Sequence, residues 1–199
     1  VTTYIDVIRH GEPVGGRRYR GYSVDDPLTE KGWAQMRASV SASPQWQHIV
    51  SSPLKRCLDF SRELANDLQI PFTVEDNMKE IGFGSWEGKT PDEIIAEDSE
   101  ALDHFYKDPV NNRPDGAEPL DTFSERVWHA YLQILEEHRD KHILIVAHAG
   151  VARAITANIL NMSLDNVYSQ LRIEYGAIIS SSVDEGSKPR LLIKGPVLS

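Results

Sequence analysis

The chain opens with an apolar run, Tyr4-Ile5-Asp6-Val7-Ile8, which stops at Arg9-His10-Gly11. Its length and β-branched content predict a buried strand. A Pro- and Gly-rich stretch from Pro13 to Pro27 predicts a loop. Thr29 then opens a segment in which Trp33, Met36 and Val40 recur at helical spacing. Ile49-Val50 reads as a short strand running into Ser51-Ser52-Pro53. Ser52 as N-cap and Pro53 at the first helical position predict a helix start there. The helix that follows places Leu54, Cys57, Leu58, Ser61, Leu64, Ala65 and Leu68 on one side.

Phe72-Thr73-Val74 predicts another strand, and Thr90-Pro91-Asp92-Glu93 a capping box with proline at its first helical position. Thr122 and Glu125 predict a second capping box, opening a helix with Phe123, Val127, Tyr131, Ile134 and Leu135 toward the core. His142 to Ala147 is the most apolar strand and ends in His148-Ala149-Gly150. A helix from about Val151 to Leu160 follows, and Ile173 to Val183 with Leu191 to Lys194 read as a hairpin or paired strands. Strand and helix alternate, which predicts an α/β layered domain with a largely parallel sheet. No repeat or linker demands two domains, so residues 1–199 are expected to form one. Residues 90–119, punctuated by Pro109, Pro114 and Pro119, are expected to be an inserted helical cap.

With 199 residues, 40% of them hydrophobic, the chain can bury a sizeable core without disulfides or a structural metal. Its one cysteine, Cys57, cannot pair internally, which favours a reducing, cytoplasmic setting. No run is apolar and long enough to span a bilayer. The net charge of −9 argues against nucleic-acid or anionic-membrane partners, which need a basic face. A local cluster of arginines on such a chain points instead to a small anionic substrate.

Three strand ends carry polar residues at once: Arg9-His10-Gly11, the Ser51-Ser52-Pro53 turn with Arg56 close behind, and His148-Ala149-Gly150. Ligands of open α/β sheets bind at the carboxyl ends of strands. If those strands are neighbours, two arginines and two histidines meet. Arg56 sits in the first turn of a predicted helix, where free N–H groups already favour anions, and its fork of donors matches phosphate oxygens. A solvated surface arginine is the equal alternative for that position. Imidazole is a competent nucleophile near neutral pH, and the small residues after His148 let a ligand approach the backbone. Glu80 lies in a Gly- and Trp-rich segment ending at Gly88, and a carboxyl there could donate a proton to a leaving group. Arg17, Arg18 and Arg20 either reach a substrate from the first loop or form a solvated basic run. Trp86 reads as core packing first.

Rival signatures fail. Glu63 stands where a Cys57-based phosphatase loop needs arginine, Glu87 where a dinucleotide fingerprint needs its third glycine, and Phe83 where a serine-hydrolase elbow needs its first. His142 and His148 have no nearby cluster of thiols or carboxylates, so no metal site is expected.

Val7-Ile8-Arg9-His10-Gly11-Glu12 resembles the Arg-His-Gly signature of the histidine phosphatase superfamily, the phosphoglycerate mutase-like family. Asp25 to Thr29, Ser51 to Arg56, Glu80 to Gly88 and Val146 to Gly150 fall in that family's order. The resemblance implies a three-layer α/β/α sandwich and cofactor-free, metal-independent phosphoryl transfer on a small phosphorylated substrate. It implies His10 as the phosphorylated nucleophile, Arg9, Arg56 and His148 as phosphoryl-binding groups, and Glu80 as proton donor. Ala149, where the family usually has glycine, would offer its backbone N–H, and Arg20 a further contact. Gly16 replaces the asparagine of glycolytic mutases, which weighs against a mutase. The run from Arg9 to Gly16, with Tyr19-Arg20-Gly21 and Gly32 to Met36, is similar to the α-ribazole phosphatase branch. That branch removes the 5′-phosphate of α-ribazole phosphate or its cobamide form. A phosphoglycerate mutase, a broad sugar-phosphate phosphatase and a non-catalytic phosphate-binding module are the alternatives. His10, Glu80 and His148 together argue against the last.

Overall fold

The computed structural model describes residues 1–41 and 46–193. The elements run β1 (Thr2–Arg9), α1 (Glu30–Val40), β2 (His48–Ser51), α2 (Lys55–Leu68), β3 (Phe72–Val74), α3 (Pro91–Glu97), α4 (Ala101–Lys107), α5 (Leu120–Glu137), β4 (His142–Ala147), α6 (Ala149–Ile159), α7 (Leu164–Gln170), β5 (Ile178–Asp184) and β6 (Arg190–Leu192). Short 3-10 turns lie at Asp76–Met78 and Gly84–Trp86.

The strands form one sheet in the order β3-β2-β4-β1-β5-β6. The first four in that order pair in parallel, and β5 and β6 close the far edge as antiparallel strands. Alternation along β4 divides the interior into two layers, because successive side chains of a strand point to opposite faces. Ile143, Ile145 and Ala147 pack with Phe123, Val127 and Tyr131 of α5 and Val151 and Ile155 of α6. Leu144 and Val146 pack with Met36 of α1 and Cys57 and Phe60 of α2. Helices therefore cover both faces, as a parallel sheet buried on each side requires. The expected three-layer α/β/α sandwich is the observed fold.

Register brings the polar strand ends together. Arg9 of β1 lies opposite Ala147 of β4, and Ser51 of β2 opposite Val146, so His10, Ser52 and His148 follow as neighbours. The turn after β1 is pinned to α1 backbone against backbone. A Cβ on Gly11 would lie 2.1 Å from the Gly32 carbonyl oxygen, and one on Gly32 would lie 2.2 Å from that of Glu12. Thr29 caps α1 by accepting from the Gly32 N–H, as expected.

Two predicted helix starts move. α2 begins at Lys55 rather than at Pro53, with Leu54 as its N-cap. The Ser52 hydroxyl meets His148 at 2.7 Å and still accepts from the Leu54 N–H at 3.3 Å, while Asp25 Oδ1 from the first loop takes the Lys55 N–H at 2.6 Å. α5 begins at Leu120 with Pro119 as its N-cap, so Thr122 lies inside the helix and forms no box with Glu125. Asp121 takes the Thr122 N–H at 2.7 Å. The box at Thr90 forms as expected, with Glu93 returning to the Thr90 N–H. Within residues 90–119, α3 and α4 dock through Ile94 and Phe105 onto Phe83 and Trp86. Residues 173–177 form a loop rather than the start of a strand, because Gly176 turns the chain at φ +74°. The paired C-terminal strands are otherwise present, and Lys194 lies outside the described residues. No helix among the described residues is long and apolar enough to cross a membrane.

Candidate active site

At the carboxyl ends of β1, β2 and β4 a cavity of about 570 Å³ opens, lined by Arg9, His10, Arg20, Arg56, Glu80 and Ala149 among others. His148 stands directly behind His10, their rings edge to face at 5.2 Å.

His10 is 6% exposed. Its backbone N–H donates to the Ala147 carbonyl, and its Nδ1 lies 2.7 Å from the Gly11 carbonyl. A carbonyl only accepts, so Nδ1 carries the proton and Nε2 keeps its lone pair. Burial, then Arg56 and Arg9, hold the His10 pKa well below the usual histidine value. The ring is a neutral imidazole with one defined basic nitrogen. His148 is fully buried, and burial, then Arg56, likewise hold its pKa well below the usual value. A positive charge on His148 is therefore opposed by its setting.

The two guanidinium groups are each half-committed. Arg9 donates Nη1 to the Ile173 carbonyl at 2.6 Å and sits over the Tyr175 ring at 4.0 Å. Arg56 donates to the carbonyls of Gly21 at 2.8 Å and Val24 at 3.1 Å. In both, Nε is buried without a hydrogen-bond partner. An unmet buried donor costs on the order of 1–3 kcal/mol, more when charged, and both arginines that carry one line the same cavity. Arg20 lines the same wall, with Nε bound to Asp26 and Nη2 to the carbonyls of Val14 and Gly16. Its main observed work is to hold the first loop.

Glu80 is fixed through its backbone and its carboxyl. Arg126 of α5 donates to the carbonyls of Asn77, Lys79 and Glu80 and is tied to Glu118, which locks the segment. The carboxyl accepts from the N–H of Ile81 at 3.0 Å and from that of Gly150, in the first turn of α6, at 3.3 Å. Gly150 leaves room for it: a Cβ there would come within 2.2 Å of Glu80 Oε1. Ala149, the first residue of α6, is nearly buried beside them.

Arg17 and Arg18 stand exposed at the cavity mouth, with Arg18 bound to the carbonyls of Gly15 and Gly88. Tyr19, Phe83, Tyr106 and Tyr168 form an aromatic wall. Trp86 supports that wall from behind, edge to face with Tyr19 and Phe105, and belongs to the core. Burial pushes the Cys57 thiol up, which leaves it inert as a nucleophile. Among the described residues, no group of three or more His, Cys, Asp or Glu side chains is placed to hold a metal ion.

Sequence reasoning did not single out Tyr175, Arg126 or Arg153 as neighbours of this site. Tyr175 precedes a glycine and then an apolar run, a turn signal that could have marked it.

The family model described as histidine phosphatase superfamily (branch 1) matches residues 5–192. The chain belongs to that superfamily. It is a phosphoric monoester hydrolase. An adenosylcobalamin/alpha-ribazole phosphatase of Escherichia coli is 26% identical over 85% of each chain. Phosphoserine phosphatase 1 of Hydrogenobacter thermophilus is 28% identical over 82% of this chain and 79% of its own. Among solved structures, YhfR of Bacillus stearothermophilus superimposes with a TM-score of 0.86 at 30% identity, covering 98% of both chains.

Proposed function

We propose that this histidine phosphatase cleaves phosphate monoesters through a phosphohistidine on Nε2 of His10, without a metal, and that its substrate is α-ribazole 5′-phosphate or its cobamide form. The observation that carries the chemistry is the pair of guanidinium groups, Arg9 and Arg56, lining one cavity with a neutral imidazole whose Nδ1 is bound to a carbonyl and whose Nε2 keeps its lone pair.

Nε2 of His10 attacks phosphorus as the bond to the leaving oxygen breaks. Arg9 and Arg56 hold the equatorial oxygens, and Glu80 gives its proton to the departing oxygen. Water then attacks the phosphohistidine, Glu80 takes the water's proton, and inorganic phosphate leaves His10. A monoester is mostly dianionic near neutral pH, its second pKa being about 6. Its arrival favours the charged form of His148, reversing the local balance that keeps that ring neutral. Each positioned donor of this kind is worth on the order of 10²–10³ in rate, so the cluster acts only as a whole.

The aromatic wall of Tyr19, Phe83, Tyr106 and Tyr168 supports a leaving group with a flat ring, in line with the name of the Escherichia coli relative. A second reading, a carboxylate-bearing leaving group such as phosphoserine or a phosphoglycerate, draws on Arg17, Arg18 and Arg172 at the mouth and on the Hydrogenobacter relative. Phosphate release from α-ribazole phosphate, phosphoserine, phosphoglycerates and hexose phosphates separates the two, with His10→Ala as control. Rapid quench with radiolabelled ester tests the intermediate: the label should survive alkali and be lost in acid, and the opposite pattern refutes phosphohistidine. Excess chelator should leave turnover intact, and a loss restored by added metal ends the metal-free mechanism.

A further inference from the structure

One short loop holds Arg9 from two directions. The carbonyl of Ile173 accepts from Nη1 in the plane of the guanidinium group, and the ring of Tyr175 covers its face at 4.0 Å. The loop is itself fixed to β1. Gly176 N–H donates to the Arg9 carbonyl, and Arg9 N–H donates to that of Ala177, each at 3.0 Å. Gly176 adopts φ +74°, and a Cβ there would meet Ser39 Oγ of α1 at 2.9 Å, so the turn is seated against that helix. Tyr175 itself is half-buried, lines the cavity and belongs to neither apolar core. Its ring also stands 5.8 Å from that of His10, at 43°. A large ring held at a cavity wall against a cation and a nucleophile is not explained by core packing.

A guanidinium group presents its donors in one plane, so which atom faces a ligand depends on how that plane is held. Ile173 fixes one edge and Tyr175 one face. The donors of Arg9 that Ile173 does not take are then held in one fixed plane beside the cavity that the residue lines. The ring adds attraction through its negative face in a desolvated setting.

We propose that Tyr175 is a positioning residue: its ring sets the plane of the Arg9 guanidinium group so that its remaining N–H donors meet the phosphoryl oxygens. The inference rests on the assignment of Arg9 to the phosphoryl group in the proposed function. The aromatic face does this work, and the phenol hydroxyl does not.

The test uses the full chain with Tyr175→Phe and Tyr175→Leu. Inorganic phosphate affinity is read by titration calorimetry, and kcat/KM with p-nitrophenyl phosphate. Tyr175→Leu should weaken phosphate binding by about 10-fold, the worth of one desolvated cation–π contact, and lower kcat/KM by at least as much. Tyr175→Phe should keep both within about twofold, since its ring has the same face. Unchanged phosphate affinity in Tyr175→Leu overturns the proposal, and so does an equal loss in Tyr175→Phe. Should Tyr175→Leu lack a thermal unfolding transition, fluorinated phenylalanines at position 175 take its place. Their electron-poor faces should weaken phosphate binding stepwise with fluorine count, and a flat series overturns the idea. Calorimetry needs no turnover, so a chain that binds phosphate but cleaves no ester refutes the phosphohistidine mechanism while leaving this inference to its own result.

Discussion

Replacing Gly150 with alanine isolates the role of Glu80 without touching Glu80 itself. The added Cβ would lie 2.2 Å from Glu80 Oε1, 3.1 Å from its Cδ and 3.3 Å from Phe123 Cζ. The carboxyl must therefore retreat by about 1 Å to reach ordinary contact, and its hydrogen bond from the Gly150 N–H is strained or lost. The moving group is the end of a flexible side chain, so the fold gives way cheaply. Alanine near a helix start also recovers part of the roughly 1 kcal/mol that glycine costs a helix. Thermal stability should stay level or rise slightly. A displacement of 1 Å at a reacting group can cost about 10²-fold in rate. If Glu80 protonates the leaving oxygen, that loss falls on esters whose leaving group needs a proton. The assay compares kcat for an alkyl phosphate with kcat for p-nitrophenyl phosphate, whose phenolate leaves unaided. Gly150→Ala should lower the first by about 10²-fold and the second by much less. Equal losses on both esters, or a loss tracking a fall in melting temperature, would refute the assignment.

Gly32→Ala drives a Cβ to 2.2 Å from the Glu12 carbonyl oxygen, a backbone clash that no rotamer relieves. It should cost about 1–3 kcal/mol in a urea melt and lower activity at saturating substrate by shifting the turn that carries His10. Asp6 is buried and accepts from Trp46, Ser180 and His142, so Asp6→Ala strands three side-chain donors and should lower unfolding free energy by about 3–5 kcal/mol. Burial, then the neighbouring His138, depresses the His48 pKa to about 4. The unfolded chain, near 6.5, takes up that proton first, so this contribution is complete above pH 6.5 and is lost as pH falls toward 4. Urea midpoints between those limits should fall less steeply for His48→Gln than for the parent, and identical slopes would refute the linkage. Because the His10 pKa lies well below 6.5, protonation of His10 should not set the acid limb of kcat/KM. The limb should follow the second ionisation of the substrate, moving with the ester used, and a fixed limb across esters would contradict this.

The half of the site built on strand ends was legible in the chain. An apolar run that stops at a charged residue and then at glycine announces both a buried strand and the edge where it meets ligand. β1 and β4 do so at Arg9-His10-Gly11 and His148-Ala149-Gly150. Parallel register then brings the two histidines together. What stayed hidden arrives from loops and from distant helices. Asp25 caps α2 across 30 positions, and Arg126 grips the backbone before Glu80 across nearly 50. Such contacts carry no period, because neither partner needs a neighbour in sequence to form them. The start of α2 was misplaced for the same reason. Ser52 takes the Leu54 N–H as an N-cap would, but only at 3.3 Å while it also meets His148, and the first N–H of the helix, that of Lys55, goes to Asp25, a partner no local rule could foresee.

One physical cause runs through His10 and His148 in opposite senses. Burial between guanidinium groups keeps His10 uncharged, which preserves the lone pair at Nε2 that the proposed attack needs. The same burial keeps His148 uncharged, which withholds a cation that a dianion would welcome. The two demands conflict only while the phosphoryl group is outside. In the proposed mechanism, two negative charges arriving beside Arg9 and Arg56 would stabilise a proton on His148 without placing one on Nε2 of His10, because that atom would then face phosphorus rather than water. A carbonyl bond at Nδ1 of His10 fixes this division in advance: Nδ1 is already occupied, so Nε2 is the one nitrogen left to react. The difference between two imidazoles 5.2 Å apart therefore comes from what each ring's nitrogens touch and from His10 alone lining the cavity.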